Sequence, residues 1–235
     1  MTLVVAHRGD PRGCVENTLP ALLSAARLGA HAVEIDVRCT ADGIPVLHHD
    51  ATLARLRRHP GRICLLSREQ LRRIAPDVPT LADALDAVRP FGVPLVVDVR
   101  SARAARAALE VVSGHRSTAG DEPLLRSGAV WFCGRPHALA AVRIAAPEAT
   151  ILLSWRRPAA PSERLVAALR PDWFNPWHRL LDVDIVMAWR RRGVRVSAWT
   201  VDDARRRDEL RSWGVDAIVT NDVEAALADA VPLAS

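Results

Sequence analysis

Lysine is absent from the 235-residue chain, so all 32 of its non-histidine basic residues are arginines, set against 27 aspartates and glutamates for a net charge of +5. An arginine-only bias fits a GC-rich codon usage better than selection for one partner. The arginines are spread through expected helices, and the short clusters at 190–192 and 205–207 read as solvated helix faces, not a nucleic-acid stripe. Cysteine is scarce. Cys14, Cys39, Cys64 and Cys133 are far apart and form no Cys-x-x-Cys pair, which excludes a zinc knuckle and a disulfide framework. Long apolar runs are missing too, with nothing near the ~18 residues of a membrane span, and residues 1–6 are too short a stretch for a secretory core. The expectation is a cytoplasmic protein with no stable membrane insertion. No oligomeric interface is legible. What is present is ample core material, 49% hydrophobic against 25% charged, which excludes disorder. The length suits a barrel, since barrels run to ~200–250 residues as one domain.

Apolar runs alternate with amphipathic stretches from end to end. Strands are expected at 3–6, 32–38, 95–100, 129–133, 150–154, 172–175, 194–200 and 217–220. Helical patterns fall at 81–88, 102–112, 136–144, 162–169, 183–192, 203–213 and 223–230. A first helix is expected from a Thr18 cap to Gly29, with Pro20 in its first turn. Eight alternating units predict an α/β fold, a (β/α)₈ TIM barrel spanning 1–235 as a single domain. The second unit is irregular. After the turn signal Ala41-Asp42-Gly43, residues 44–48 read as an extra extended segment, and 51–78 as a small, partly helical insertion after the second strand, at the barrel mouth.

Strands of a parallel barrel are covered on both sides, so a carboxylate within one must face the interior. In Val33-Glu34-Ile35-Asp36-Val37 the alternation sends three β-branched residues toward the helices and both acids inward. Asp98 is a third acid near a strand's C-terminal end, where barrel active sites lie. Converging carboxylates raise one another's pKa unless a hard divalent cation joins them. All-oxygen ligation favours Mg²⁺, Ca²⁺ or Mn²⁺ over zinc; the competing arrangement pairs Glu34 or Asp36 with an interior arginine. His7-Arg8 follows the first strand and His49-Asp50 the extra segment, so two histidines hang at the same rim. They could serve as base and acid, and an arginine fork beside them suits phosphate oxygens.

The series His7-Arg8-Gly9, Glu16-Asn17-Thr18, Glu34-x-Asp36, Asp42-Gly43-x-Pro45-Val46-x-x-His49-Asp50, Thr52-Leu53-x-Arg55, Pro79-Thr80-Leu81, Trp199-Thr200-Val201 and Gly214-Val215-Asp216 resembles the glycerophosphodiester phosphodiesterase family over nearly the whole chain. The resemblance implies metal-dependent hydrolysis of small-molecule glycerophosphodiesters to glycerol 3-phosphate and an alcohol. It implies His7 and His49 as catalytic residues and Arg8 as a phosphate ligand. Glu34, Asp36 and Asp98 would be ligands of one divalent cation, Mg²⁺ or Ca²⁺. Arg100 would neutralise further phosphate charge, and Trp199 could wall the glycerol carbons. Asp98-x-Arg100 departs from the family's usual Glu-x-Lys, Asp202 stands where asparagine is more usual, and Cys133-Gly134 replaces a serine and a phenylalanine. Two other functions stay open: a phospholipase D-like lyase stopping at a cyclic phosphate, and a catalytically silent phosphodiester-binding protein.

Overall fold

The computed structural model describes residues 1–115 and 122–229. Eight parallel strands close a barrel: β1 (Leu3–His7), β2 (Ala32–Cys39), β4 (Leu95–Val99), β5 (Val130–Gly134), β6 (Thr150–Trp155), β7 (Trp173–Pro176), β8 (Arg195–Ala198) and β9 (Ala217–Thr220). Each pairs with the next, and β9 and β2 both pair with β1. The expected extra segment is a short antiparallel strand, β3 (Pro45–Leu47), hydrogen-bonded to the end of β2. The expected seventh barrel strand is shorter than the apolar pattern suggested, ending at Ala198 because Trp199 and Thr200 turn to line the mouth.

Period-2 alternation explains both faces of the barrel wall. Val33, Ile35 and Val37 of β2 and Leu95, Val97 and Val99 of β4 join the large outer core under the helices. Val5, Val96, Leu152, Trp173, Ala217 and Val219 pack inside as an apolar floor. Two residues further along, β1, β4, β6 and β7 turn polar, giving His7, Asp98, Ser154 and Asn175, and β8 adds Ser197. Ser197 donates to Asn175 Oδ1 (2.9 Å), and Asn175 donates to Ser154 (3.3 Å). The barrel is therefore greasy below and hydrogen-bonded above, with its chemistry at the C-terminal face.

The outer layer contains α1 (Leu19–Leu28), α4 (Leu81–Val88), α5 (Ala102–Gly114), α6 (Pro136–Ala145), α7 (Glu163–Leu169), α8 (Val183–Arg191), α9 (Ala204–Ser212) and α10 (Val223–Ala228). The last helix was expected to reach Ala230, which lies outside the described residues. Thr18 does occupy the N-cap of α1, but its hydroxyl donates to Val15 O at 2.6 Å instead of accepting from the helix. Arg207 corrects the solvated-face expectation. It is buried, its guanidinium binding the Asp229 carboxylate (2.6 and 2.8 Å) and the Asp202 carbonyl (2.9 Å). Residues 51–78 carry α2 (Ala54–Arg57) and α3 (Arg68–Ile74) around a small core of Leu53, Ile63, Leu71, Ala75 and Val78. No helix among the described residues is long and apolar enough to cross a membrane.

Candidate active site

A cavity of about 880 Å³ opens at the C-terminal ends of the strands. All eight residues singled out from the sequence line it: His7, Arg8, Glu34, Asp36, His49, Asp98, Arg100 and Trp199.

The turn after β1 is built from three left-handed residues, Arg8 (φ 61°), Gly9 (φ 85°) and Asn17 (φ 57°). Gly9 has no substitute, because an added Cβ would sit 2.6 Å from the Ala21 carbonyl carbon. Arg8 is held in its unusual conformation from both ends. Its N–H donates to Glu34 Oε2 (3.1 Å), and its carbonyl accepts from Asn17 N–H (3.0 Å). Asn17, quoted in the sequence motif without a role, clamps Asp36: its Nδ2 donates to Oδ2 (3.0 Å) and its Oδ1 accepts the Asp36 N–H (2.9 Å).

The three acids fall into two environments. Asp36 lies 3.0 Å from Arg8 Nε and 3.3 Å from Arg100, the arginine pairing weighed above. Burial pushes its carboxyl up, but Arg8, His49, Asn17 and Arg100 outweigh that and hold it below the usual range. Glu34 is driven well above that range by burial and by Asp36 and Asp98. Asp98 is pushed up to about 6 by burial and Asp36, against the pull of Arg100, Arg38 and Arg8. Ligand atoms of Glu34, Asp98 and Cys133 gather within 4.8 Å of one another. Asp98 Oδ1 is buried with no hydrogen-bond partner among the described residues. The glycine after Cys133 is required: a Cβ on Gly134 would meet Val99 O at 2.2 Å and Asp98 Oδ1 at 2.6 Å.

The two histidines are oriented by different partners. His49 Nδ1 lies 2.7 Å from Asp50 Oδ1, and Asp50 is held at about 2, its own burial being outweighed by Arg55 and His49. Arg38 fixes the His49 carbonyl from Nε at 3.1 Å. His48 points elsewhere: it is buried, its Nδ1 is 3.1 Å from the Asp50 carbonyl, and it does not line the cavity. His7 Nδ1 lies 2.8 Å from Asn221 Oδ1. That amide is itself oriented, because Asn221 Nδ2 donates to Asp202 Oδ2 (2.7 Å) and a carboxylate can only accept. Asn221 therefore presents an acceptor, so His7 must carry its proton on Nδ1, leaving the Nε2 lone pair free. Nε2 lies 3.9 Å from Glu34 Oε2. Burial and Arg8 lower the His7 pKa, which keeps the ring neutral near pH 7. Asp202 also accepts from Thr220 (3.0 Å) and the Asn221 N–H (2.8 Å). Sequence reading flagged Asp202 only as an unusual residue and missed Asn221.

The profile of the Glycerophosphoryl diester phosphodiesterase family matches residues 7–225. A 72-residue stretch is 50% identical to glycerophosphodiester phosphodiesterase 1 of Bos taurus, covering 31% of this chain and 22% of that protein. The glycerophosphodiester phosphodiesterase of Caldanaerobacter subterraneus is 24% identical over 96% of both chains. A phosphodiesterase of Oleispira antarctica, solved in complex with the product sn-glycerol-3-phosphate, superimposes with a TM-score of 0.85. Its identity is 25%, and the match covers 97% of this chain and 96% of that one.

Proposed function

This chain belongs to the glycerophosphoryl diester phosphodiesterase family, and from that premise we propose that it hydrolyses glycerophosphodiesters to glycerol 3-phosphate and an alcohol, by two-histidine catalysis with one divalent cation. The observation that carries this reading is the arrangement of His7 and His49 on one cavity with Glu34, Asp36 and Asp98. The residues suit a cation: a buried, unpartnered carboxylate oxygen on Asp98 beside Glu34 is what an ion would satisfy, and hard oxygen donors match Mg²⁺ or Ca²⁺. Glu34 and Asp98 would hold it, with Asp36 as the third ligand, kept ionised by Arg8 and Arg100. Once bound, the ion would stabilise charge that builds on the phosphate oxygens.

His7, neutral and with Nε2 free, takes the proton of the glycerol 2-hydroxyl, whose oxygen attacks phosphorus to form a cyclic phosphate. His49 gives its proton to the leaving alcohol oxygen, and Asp50 is a negative partner for the charged form of that ring. Water then opens the ring, with the two histidines exchanging roles. Arg8 and Arg100 face the remaining phosphate charge. Trp199, its Nε1 donating to Asn175 O at 2.8 Å, gives the glycerol carbons an apolar wall.

Incubating purified protein with glycerophosphoglycerol, glycerophosphoethanolamine and glycerophosphocholine, with and without Mg²⁺ or Ca²⁺, tests the reading through release of glycerol 3-phosphate. Cyclic phosphate accumulating without glycerol 3-phosphate would replace it with the lyase reaction. Binding without turnover of any ester would replace it with a silent binding role.

The Asp202–Asn221–His7 chain makes Asp202 and Asn221 positioning residues. Asp202→Asn puts a donor where Asn221 Nδ2 needs an acceptor, so the Asn221 amide should turn and impose the wrong tautomer on His7. A roughly 10- to 100-fold loss of kcat/KM is expected. The double variant Asp202→Asn/Asn221→Asp restores both donor–acceptor matches and should recover most of that loss. Failure of the double variant to improve on the single one, with both folded by circular dichroism, would reduce Asp202 to a packing role.

A further inference from the structure

Glycerol is common to every diester in this class, and it must remain beside the histidines through its 2-hydroxyl. The leaving alcohol is the part that extends across the mouth. Counting around the barrel from β1, β6 is the fifth strand and stands diametrically opposite, with β5 next to it. The residues that follow these two strands form the far wall of the cavity: Arg135 and His137 after β5, and Arg156 and Arg157 after β6. Among the described residues, no acidic residue lines the cavity apart from Glu34, Asp36 and Asp98. Among the described residues, no carboxylate lies within 4.0 Å of the three arginines. Other exposed arginines of the described residues also lack a carboxylate; these three are distinguished by gathering on one wall of the cavity.

Two indoles, at the end of β6 and just beyond the end of β7, already carry guanidiniums. Arg157 lies 5.7 Å from the Trp155 ring centre, and Arg156 and Arg179 lie 5.8 and 5.4 Å from that of Trp177. A quaternary ammonium uses such faces in a cation–π cage, and on Trp155, which lines the cavity, a guanidinium holds that place. Arg135 is the N-cap of the ten-residue α6, whose first turn has no acidic residue, so the positive end of the helix dipole adds to the same wall.

Resting on the phosphodiesterase reading above, we propose that this wall selects diesters whose alcohol carries a negative charge, such as a further phosphate, and disfavours those with a cationic alcohol. Three partnerless guanidiniums give a phosphorylated alcohol charge-assisted hydrogen bonds, while choline would meet only like charge.

The test compares glycerophosphoinositol 4-phosphate, glycerophosphoglycerol and glycerophosphocholine as anionic, neutral and cationic members. At low ionic strength kcat/KM should favour the anionic over the cationic ester by roughly tenfold or more, expressed mainly in KM, and the ratio should shrink as salt is added. In the Arg156→Gln/Arg157→Gln variant, altered only on an exposed loop, that ratio should fall severalfold, Arg135 and the α6 end keeping the remainder, while glycerophosphoglycerol turnover changes less than about twofold. A wild-type preference for the choline ester, or an anionic preference undiminished by the double substitution, overturns the proposal. Calorimetric binding of the three esters to the His7→Ala protein ranks them without turnover. Hydrolysis failing on every ester while this ranking holds would therefore count against the phosphodiesterase reading and not against the selectivity.

Discussion

His49→Ala should lose about 10²- to 10⁴-fold in kcat, the usual worth of a positioned general acid, while its neighbour His48→Ala keeps near wild-type kcat and loses stability instead. The two rings follow one another on the stretch leaving β3, and consecutive side chains there face opposite ways. His49 turns to the cavity, with Nδ1 on Asp50, whose other oxygen accepts from Arg55 at 2.6 Å; Arg55 also reaches Glu16 at 3.3 Å. Glu16 in turn accepts from Arg8 at 3.0 Å, so the acid and the phosphate arginine share one brace. His48 is buried on the other side, its Nε2 without a partner among the described residues, so truncating it removes packing and no reacting group. His7→Ala should cost as much as His49→Ala. The His7/His49 double variant should cost much less than the product of the two, because base and acid serve one displacement. Measuring kcat for the four variants on one glycerophosphodiester, each checked for folding, decides the matter. Were His48→Ala the crippled variant and His49→Ala near wild type, the register of this segment and the site built on it would both be wrong.

The parts of this molecule that could be read from sequence are those where one strand or helix decides the outcome. Glu34 and Asp36 face inward because Val33, Ile35 and Val37 must face the helices, and a strand offers only those two sides. The parts that stayed hidden are meetings between distant segments. Asn221 reaches His7 across 214 positions, and Asn17 reaches Asp36 across 19. Nothing in an isolated asparagine announces which way its amide will turn until the groups it bonds are in place. Arg207 reads as one of three solvated arginines, yet the helical period carries it under Asp229 while Arg205 stays exposed. Cys133 shows the same effect in the site itself. As a scattered cysteine it excluded a zinc motif, but the barrel register sets Cys133 opposite Asp98 and brings its sulfur beside two carboxylates.

Chelation should abolish glycerol 3-phosphate release, and Mg²⁺ or Ca²⁺ should restore it, because without a cation the site holds carboxylates that repel. Asp98 faces Glu34, Asp36 and the Cys133 thiol on one side and Arg100, Arg38 and Arg8 on the other. The balance leaves its pKa raised to about 6 in the folded chain, against an ordinary value of 3.8. The linkage has a definite sign. Below pH ~4 the group is protonated in both folded and unfolded states and costs nothing. As pH rises from ~4 to about 6 the unfolded chain ionises first, so stability falls across that window, and above it the loss is complete and constant. Asp98→Asn removes that burden, so the metal-free variant should melt above metal-free wild type at pH 7 and the two should converge near pH 4. Adding Mg²⁺ or Ca²⁺ should raise the wild-type Tm, reversing the order, and barely move the variant, whose activity should need far more metal. Asp98→Glu restores a carboxylate one methylene longer and should keep the metal response. Equal metal-induced shifts in wild type and Asp98→Asn would remove Asp98 from the ligand set and leave it as the structural partner of Arg100. Restoration by Zn²⁺ but not Mg²⁺ or Ca²⁺, lost in Cys133→Ser, would make the thiol a ligand and replace the all-oxygen set with a mixed one.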